Sequence, residues 1–167
     1  MNKLDFALDA VGQGFSVVPV SPNSKVPYIK WKAYQQERLG ETALGEYWSS
    51  NPDYNIGIVT GRVSGITVVD VDGPTGEESL AKAGIHLPDT YVVRTPHGWH
   101  YYYRYDPAIR NGVGVLEKVD IRSDRGLVLG VGSEIDGVRY QVHQDMPIAT
   151  LKPVPALFKA HDRPQAQ

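Results

Sequence analysis

The chain has 167 residues, 41% of them hydrophobic and 22% charged, a mixture that indicates one folded domain and excludes a disordered protein. Its net charge of -2 excludes a uniformly basic DNA-coating protein, although a local basic groove could still bind nucleic acid. The absence of Cys excludes disulfides, Cys-ligated zinc and a Cys nucleophile, and it fits a reducing cytoplasm. No apolar run approaches the ~20 residues that span a bilayer, so we expect a cytoplasmic protein without membrane contact.

The order of the predicted elements indicates the fold class. Apolar spacing and stop residues predict helices over residues 4–11, 42–48, 75–83 and 155–161, with Thr42 as a candidate N-cap. β-Branched and aromatic runs predict strands over residues 15–20, 56–60, 66–71, 91–94, 99–105, 119–121, 127–131 and 138–142. Most helices lie in the first half and most strands in the second, and no GxGxxG is present. This order predicts an α+β fold with a largely antiparallel or mixed sheet.

Two acidic residues end one predicted strand. In Ile66-Thr-Val-Val-Asp-Val-Asp-Gly73, alternation places Asp70 and Asp72 on one face and the apolar Val69 and Val71 on the other. Two unpaired carboxylates about 6.6 Å apart along a strand repel each other, and a divalent cation would relieve that repulsion. The pair therefore indicates a metal site, or alternatively a strand end at which Asp72 starts a turn.

A histidine lies on the strand after the next turn. Alternation places His100 on the same face as Tyr102 and Arg104, beside the turn at 96–98. An imidazole at such a turn can contact a phosphate oxygen, with help from backbone amides. The alternative is a histidine that is merely part of a solvated sheet surface.

Further polar residues follow along the chain. Lys118, Asp120 and Arg122 share a strand face, as candidates for binding metal and phosphate or as a surface charge cluster. Ser133 follows closely spaced glycines and could donate to a nucleotide, or it could belong to an ordinary strand. Lys25 is a candidate for contact with phosphate or template, and is otherwise a solvated loop residue. Aromatic residues could stack on bases or pack in the core: Trp31, Tyr34, Tyr47 and Trp48.

Together, three acids, a strand histidine and several cations on consecutive strands indicate two-metal phosphoryl chemistry. In this order they resemble the bifunctional primase-polymerase (prim-pol) domain of the archaeo-eukaryotic primase superfamily, known from phage and plasmid replication proteins. The resemblance covers about residues 4–160. It rests on the segments 15–19, 25–27, 55–61, 68–73, 95–100, 119–122 and 130–133.

The resemblance implies a two-part core, in which an N-terminal αβ portion packs on an RRM-like sheet and the active site lies in the cleft between them. It implies that two Mg²⁺ or Mn²⁺ ions are held by Asp70, Asp72 and Asp120. It also implies that the incoming nucleoside triphosphate contacts His100, Arg122, Ser133, Thr95 and Gly98. Weaker contacts to template or phosphate are expected from Lys25 and Lys118.

The activity implied is DNA-templated addition of dNTPs or NTPs to a 3′-hydroxyl, on a single-stranded or primed template. Residues 1–161 would form the catalytic domain. Residues 162–167 would be a tail toward a C-terminal region, with a helicase or helical priming domain expected in the same polypeptide. The turn 97–99 and the segment 131–133 differ from sequences common in relatives, and the zinc stem of some relatives is absent.

Two other functions fit the same residues. A metal-dependent nuclease would use the same acids with water as the attacking group. A module that only binds single-stranded nucleic acid would carry the acids without using them.

Overall fold

The structure is a computed structural model that describes residues 1–159, so the predicted tail 162–167 lies outside the described residues. Three α-helices span Lys3–Gly12 (α1), Glu41–Ser50 (α2) and Gly73–Lys82 (α3). The first six strands are Ser16–Val20 (β1), Asn55–Val59 (β2), Ile66–Asp72 (β3), Val92–Arg94 (β4), Gly98–Arg104 (β5) and Gly112–Leu116 (β6). The others are Val119–Arg122 (β7), Leu127–Leu129 (β8), Glu134–Ile135 (β9), Val138–Arg139 (β10) and Gln141–Gln144 (β11).

The strands form two main sheets and a short hairpin. Six strands pair in the order β11-β4-β5-β3-β7-β6, three pair in the order β1-β2-β8, and β9 pairs with β10. All of these pairings are antiparallel, which confirms the predicted α+β fold. Pro19 lies inside β1 without breaking it, because β1 is an edge strand and the lost N–H is not needed for pairing. The likeness of the larger sheet to an RRM sheet stays a prediction.

Side chains on the two faces of the six-stranded sheet belong to different cores. On one face, Val68 and Tyr102 pack with residues of α1, α2 and the three-stranded sheet. On the other face, Val69 and Tyr103 pack in a second core that includes Leu80 of α3. The central strand β3 therefore has both faces covered along most of its length, and it is held rigidly between β5 and β7.

The N-terminal part of the chain forms the layer that covers the first face. A capping box starts α1, in which Asn2 and Asp5 each accept a hydrogen bond from the other's backbone N–H. Ala7 of α1 and Leu44 of α2 are fully buried against the three-stranded sheet. This layer brings the loop between β1 and α2 close to the acidic end of β3.

Several predicted element boundaries differ from the structure. Thr42 is not the cap of α2, because the helix begins earlier and Gly40 occupies the N-cap. The predicted strand 138–142 is divided at Tyr140 into β10 and β11, which belong to different sheets. The predicted helix 155–161 is a 3-10 turn at Ala156–Phe158, and residues 160 and 161 lie outside the described part.

Within residues 1–159, no helix has the length and apolar character needed to cross a membrane.

Candidate active site

The site is organised around Asp70 on the central strand β3. In the register of the sheet, Asp70 lies directly opposite His100 of β5 on one side and Asp120 of β7 on the other. Asp72 follows two residues later on the same face and pairs with Gly98. Antiparallel pairing therefore brings the backbone positions of the three acids and the histidine together on neighbouring strands. Alternation predicted only that Asp70 and Asp72 share a face of β3.

Asp70 and His100 face each other in a largely buried setting. Their side chains are 20% and 7% exposed, and Oδ1 of Asp70 lies 3.6 Å from Nε2 of His100. This distance is longer than a hydrogen bond, and Oδ1 of Asp70 has no hydrogen-bond partner among the described residues. Nδ1 of His100 likewise has none. The pair therefore presents a buried carboxylate oxygen and a buried ring nitrogen that the described chain leaves unsatisfied.

Opposing influences set the pKa of Asp70. Burial, the largest single influence, raises this pKa, and the neighbouring His100 lowers it. The positive charges of Arg122 and Lys25 add to the lowering, so the net pKa lies below the usual range of an aspartate. Asp70 is therefore held as a carboxylate, the form that binds a cation.

The pKa of Asp72 is shifted upward, in the opposite direction to that of Asp70. Burial raises its pKa, and the negative charge of Asp70 raises it further, with a smaller contribution of the same sign from Asp120. Lys25 opposes these effects only in part. The raised pKa of Asp72 reflects burial together with the repulsion between carboxylates, and a bound cation would relieve that repulsion.

Asp120 is the most strongly held of the three acids. Its Oδ1 accepts a hydrogen bond of 2.7 Å from the backbone N–H of Gly114, and its Oδ2 lies 3.4 Å from Nη2 of Arg122. Gly114 has a positive φ of 63° and lies where the β6–β7 register shifts. Strand β6 was not predicted, so the orienting amide of Gly114 was also missed.

A cavity of about 90 Å³ opens beside Asp70 and His100, and neither Asp72 nor Asp120 lines it. Asp70, His100 and Arg122 form one wall, and Leu127–Leu129 of the three-stranded sheet form the opposite wall. Lys25 enters from the loop after β1. The cavity is therefore lined by residues of both main sheets, which agrees with the predicted cleft between the two parts of the fold.

Tyr140 also lines this cavity, although no pattern in the sequence marked it as a site residue. Its ring centroid lies 6.0 Å from that of His100, and the residue is only 2% exposed. Burial raises the pKa of Tyr140 to about 12, with further contributions from Asp70 and Asp72. Tyr140 therefore stays neutral, and its ring forms part of the cavity wall beside His100.

Thr95 and Gly98 build the turn next to Asp72 and lie outside the small cavity. Oγ1 of Thr95 accepts a hydrogen bond of 3.0 Å from the N–H of Gly98, and the Thr95 N–H donates to the Gly98 carbonyl. A Cβ at Gly98 would lie 2.0 Å from the carbonyl oxygen of Val71, so this approach of β5 to β3 requires glycine. Both residues line a second opening of about 270 Å³ with Gly73 and Arg94.

The structure does not bring Lys118 and Ser133 to the cavity. Lys118 is exposed in the turn between β6 and β7, where its carbonyl accepts a hydrogen bond of 2.9 Å from the N–H of Asp72. Ser133 is fully buried, and its Oγ accepts from the N–H of Ile56 and donates to the Ile56 carbonyl. Because that hydroxyl is committed to β2, we leave Ser133 out of the site.

The acids fit a divalent cation in their chemistry. Carboxylate oxygens are the ligands that Mg²⁺ and Mn²⁺ prefer, and the buried Oδ1 of Asp70, which has no partner among the described residues, is an oxygen that a cation could take as a ligand. As the side chains stand, no three His, Asp or Glu residues within residues 1–159 are arranged to hold a metal ion. The carboxylate of Asp120 is already engaged by the N–H of Gly114 and by Arg122.

Comparison with known protein families identifies the family of this chain. Residues 7–156 match the family described as bifunctional DNA primase/polymerase, N-terminal (Prim-Pol). A search of curated proteins finds no match. The family match spans nearly all of the described residues, including β3, β5 and β7. The chain therefore belongs to the bifunctional DNA primase/polymerase family, whose role is nucleotidyl transfer in DNA replication.

Proposed function

We propose that this domain adds nucleotides to the 3′-hydroxyl of a DNA-templated strand by two-metal catalysis, in phage or plasmid replication. The observation that carries the proposal is the register that sets Asp70 between His100 and Asp120. Asp70 and His100 also line a cavity together with Lys25 and Arg122. In the reaction, the 3′-oxygen bonds to the α-phosphorus, the α–β P–O bond breaks, pyrophosphate leaves and the hydroxyl proton is released.

Asp70 and Asp72, with Asp120 after release of Arg122, would hold the divalent ions. When bound, Mg²⁺ or Mn²⁺ lowers the pKa of an attacking hydroxyl and neutralises phosphate charge. Asp70 is suited to this role by its lowered pKa and its free Oδ1. The amide of Gly114 would keep Asp120 in position when the guanidinium of Arg122 moves away.

The cations of the cavity would bind the triphosphate. His100 can donate from a ring nitrogen that has no partner in the described residues. Arg122 and Lys25 supply positive charge from the two walls of the cavity, where the low exposure of the site strengthens each contact. Thr95 and Gly98 would act by fixing the turn against which the nucleotide lies.

A primer-extension assay with Mn²⁺ or Mg²⁺ tests this proposal. Asp70→Asn removes the charge while keeping the shape, so we expect extension to fall by at least about a hundredfold. Asp9→Asn on the exposed face of α1 is the matched control and should leave extension unchanged. Undiminished extension by Asp70→Asn would refute the assignment of the site.

The same assay separates the two other functions. A nuclease would shorten the oligonucleotide without any nucleoside triphosphate. A binding module would retain DNA yet give no product with any metal or nucleotide. The predicted helicase or priming domain is not tested by residues 1–159 and stays a prediction.

A further inference from the structure

The segment Lys25–Lys32, here named the basic arm, is a feature that the proposed chemistry does not use beyond Lys25. It carries Lys25, Lys30 and Lys32, and residues 10–36 contain no Asp or Glu. All three lysines are exposed, and none makes an ion pair with an acidic side chain of residues 1–159. The arm therefore concentrates uncompensated positive charge on a protein whose net charge is -2.

The arm also presents an aromatic ring to solvent. Tyr28 is 55% exposed, and its ring lies 4.6 Å from the ring of Tyr54, which is only 5% exposed. Tyr54 is itself fixed by Trp48, whose Nε1 donates a hydrogen bond of 2.9 Å to the Tyr54 carbonyl. One side of the Tyr28 ring therefore rests on the core, and the remainder of the ring is open.

The backbone of the arm is held in place. The N–H of Tyr28 donates to the carbonyl of Pro19 at 3.0 Å, and Pro27 forms a bridge with Val20 of β1. Just before the arm, Nδ2 of Asn55 donates to the carbonyl of Ser24. These contacts tie the arm to the three-stranded sheet, so little ordering would be needed when a ligand binds.

The arm begins at the catalytic cavity. Lys25 lines that cavity with Asp70, and its charge influences the pKa of both Asp70 and Asp72. A strand that followed the arm would therefore arrive at the acids of the site.

We propose that the basic arm binds a single-stranded nucleic acid, with one base stacked on the open part of the Tyr28 ring and phosphates near Lys30 and Lys32. An open aromatic ring beside unpaired cations is the combination that binds single strands without sequence preference. The identification of that strand as the template rests on the proposed function, whereas binding by the arm does not.

Fluorescence anisotropy of a labelled oligo(dT) in EDTA tests binding in the absence of chemistry. We expect Tyr28→Ala to weaken binding about tenfold, since stacking of one base on an aromatic ring has an effect of this size. Tyr28→Phe should stay within about twofold of the unchanged protein, because it keeps the ring face. Equal affinity of Tyr28→Ala and the unchanged protein, or an equal loss in both variants, would overturn the stacking role.

The phosphate contacts of Lys30 and Lys32 are tested by the salt dependence of the binding constant. The double variant Lys30→Ala/Lys32→Ala should reduce the slope of log K against log salt by about 1.4, at about 0.7 per phosphate contact on a single strand. Lys82→Ala on α3 is the control, since Lys82 is exposed and paired with Glu78, and it should not change the slope. An unchanged slope in the double variant would overturn the phosphate contacts, and would leave the arm as a surface for another class of partner.

Two further readouts keep the result interpretable. The thermal midpoint of each variant must match that of the unchanged protein, which excludes loss of the Tyr54 contact as the cause. If the unchanged protein extends primers, Tyr28→Ala should raise the KM for template without lowering kcat. If it extends none, the proposed function fails, while the anisotropy result still decides whether the arm binds nucleic acid.

Discussion

Asp70 has a position that costs free energy of folding but suits its proposed role in the reaction. It lies in the centre of a sheet with one oxygen unpartnered, although burial of an unsatisfied polar atom costs roughly 1–3 kcal/mol. His100, Arg122 and Lys25 offset part of that cost, as the lowered pKa of Asp70 shows. A residue retained in such a position is typical of a functional site.

Ser133 illustrates the opposite case, in which a polar residue serves the fold. Ser133→Ala would leave the N–H of Ile56 without its partner inside the core, so we expect a loss of about 1–3 kcal/mol in the free energy of unfolding. Denaturant unfolding measures this loss. The KM for nucleoside triphosphate should stay within about twofold; a large rise in KM with unchanged stability would restore Ser133 to the site.

For single residues, the sequence predicted which face of a strand a side chain lies on better than which distant side chain it contacts. Alternation correctly separated Asp70 and Asp72 from Val69 and Val71, because β3 is a regular strand and its period is two. Tyr140 was missed because its place beside His100 depends on how the end of β10 meets the larger sheet. The local periodicity of a sequence contains no information about how separate sheets pack together.

At the scale of elements, the packing of α3 on the sheet depends on one glycine. A Cβ at Gly76 would lie 2.7 Å from the carbonyl oxygen of Lys118 and 2.9 Å from Cγ1 of Val71. The close approach at Gly76 lets α3 pack against the turn at Lys118. The carbonyl of Lys118 also accepts a hydrogen bond from the N–H of Asp72. The helix therefore supports the backbone of the acidic strand end.

The pair Gly76→Ala and Gly45→Ala isolates this effect. Both glycines lie inside helices, and helix propensity alone favours alanine by about 0.5–1 kcal/mol. Gly45 has no atom within 4 Å of a Cβ, so Gly45→Ala should stabilise the protein by about that amount. Gly76→Ala should destabilise it by about 1–3 kcal/mol because the helix must move. Equal effects of the two changes in thermal or denaturant unfolding would contradict this packing.

The prediction of secondary structure failed mainly at strands that are short or rich in glycine. β6 contains Gly112 and Gly114 and shows an exposed Val113, so it lacks the apolar run that identifies a strand. The pattern at 138–142 is regular enough to suggest one strand, yet pairing divides it between two sheets. Both elements owe their conformation to neighbouring strands more than to their own sequence.

At the scale of the whole molecule, the site exists because two sheets meet over the end of β3. The α+β class followed from the order of the elements, whereas the cleft was expected only from the resemblance to prim-pol domains. The cavity lined by both sheets brings together residues as distant in sequence as Lys25 and Arg122. Such an arrangement cannot be predicted from periodicity in one sequence.

Nucleotidyl transfer at the acids of β3 and β7 is best tested by the stoichiometry of the reaction. We would measure pyrophosphate released and nucleotide incorporated on a primed template, with Asp70→Asn beside the unchanged protein. We expect one pyrophosphate for each nucleotide added, and a fall of both products by at least about a hundredfold in Asp70→Asn. Undiminished nucleotide addition by Asp70→Asn, or a shortened primer without pyrophosphate, would contradict nucleotidyl transfer at these acids.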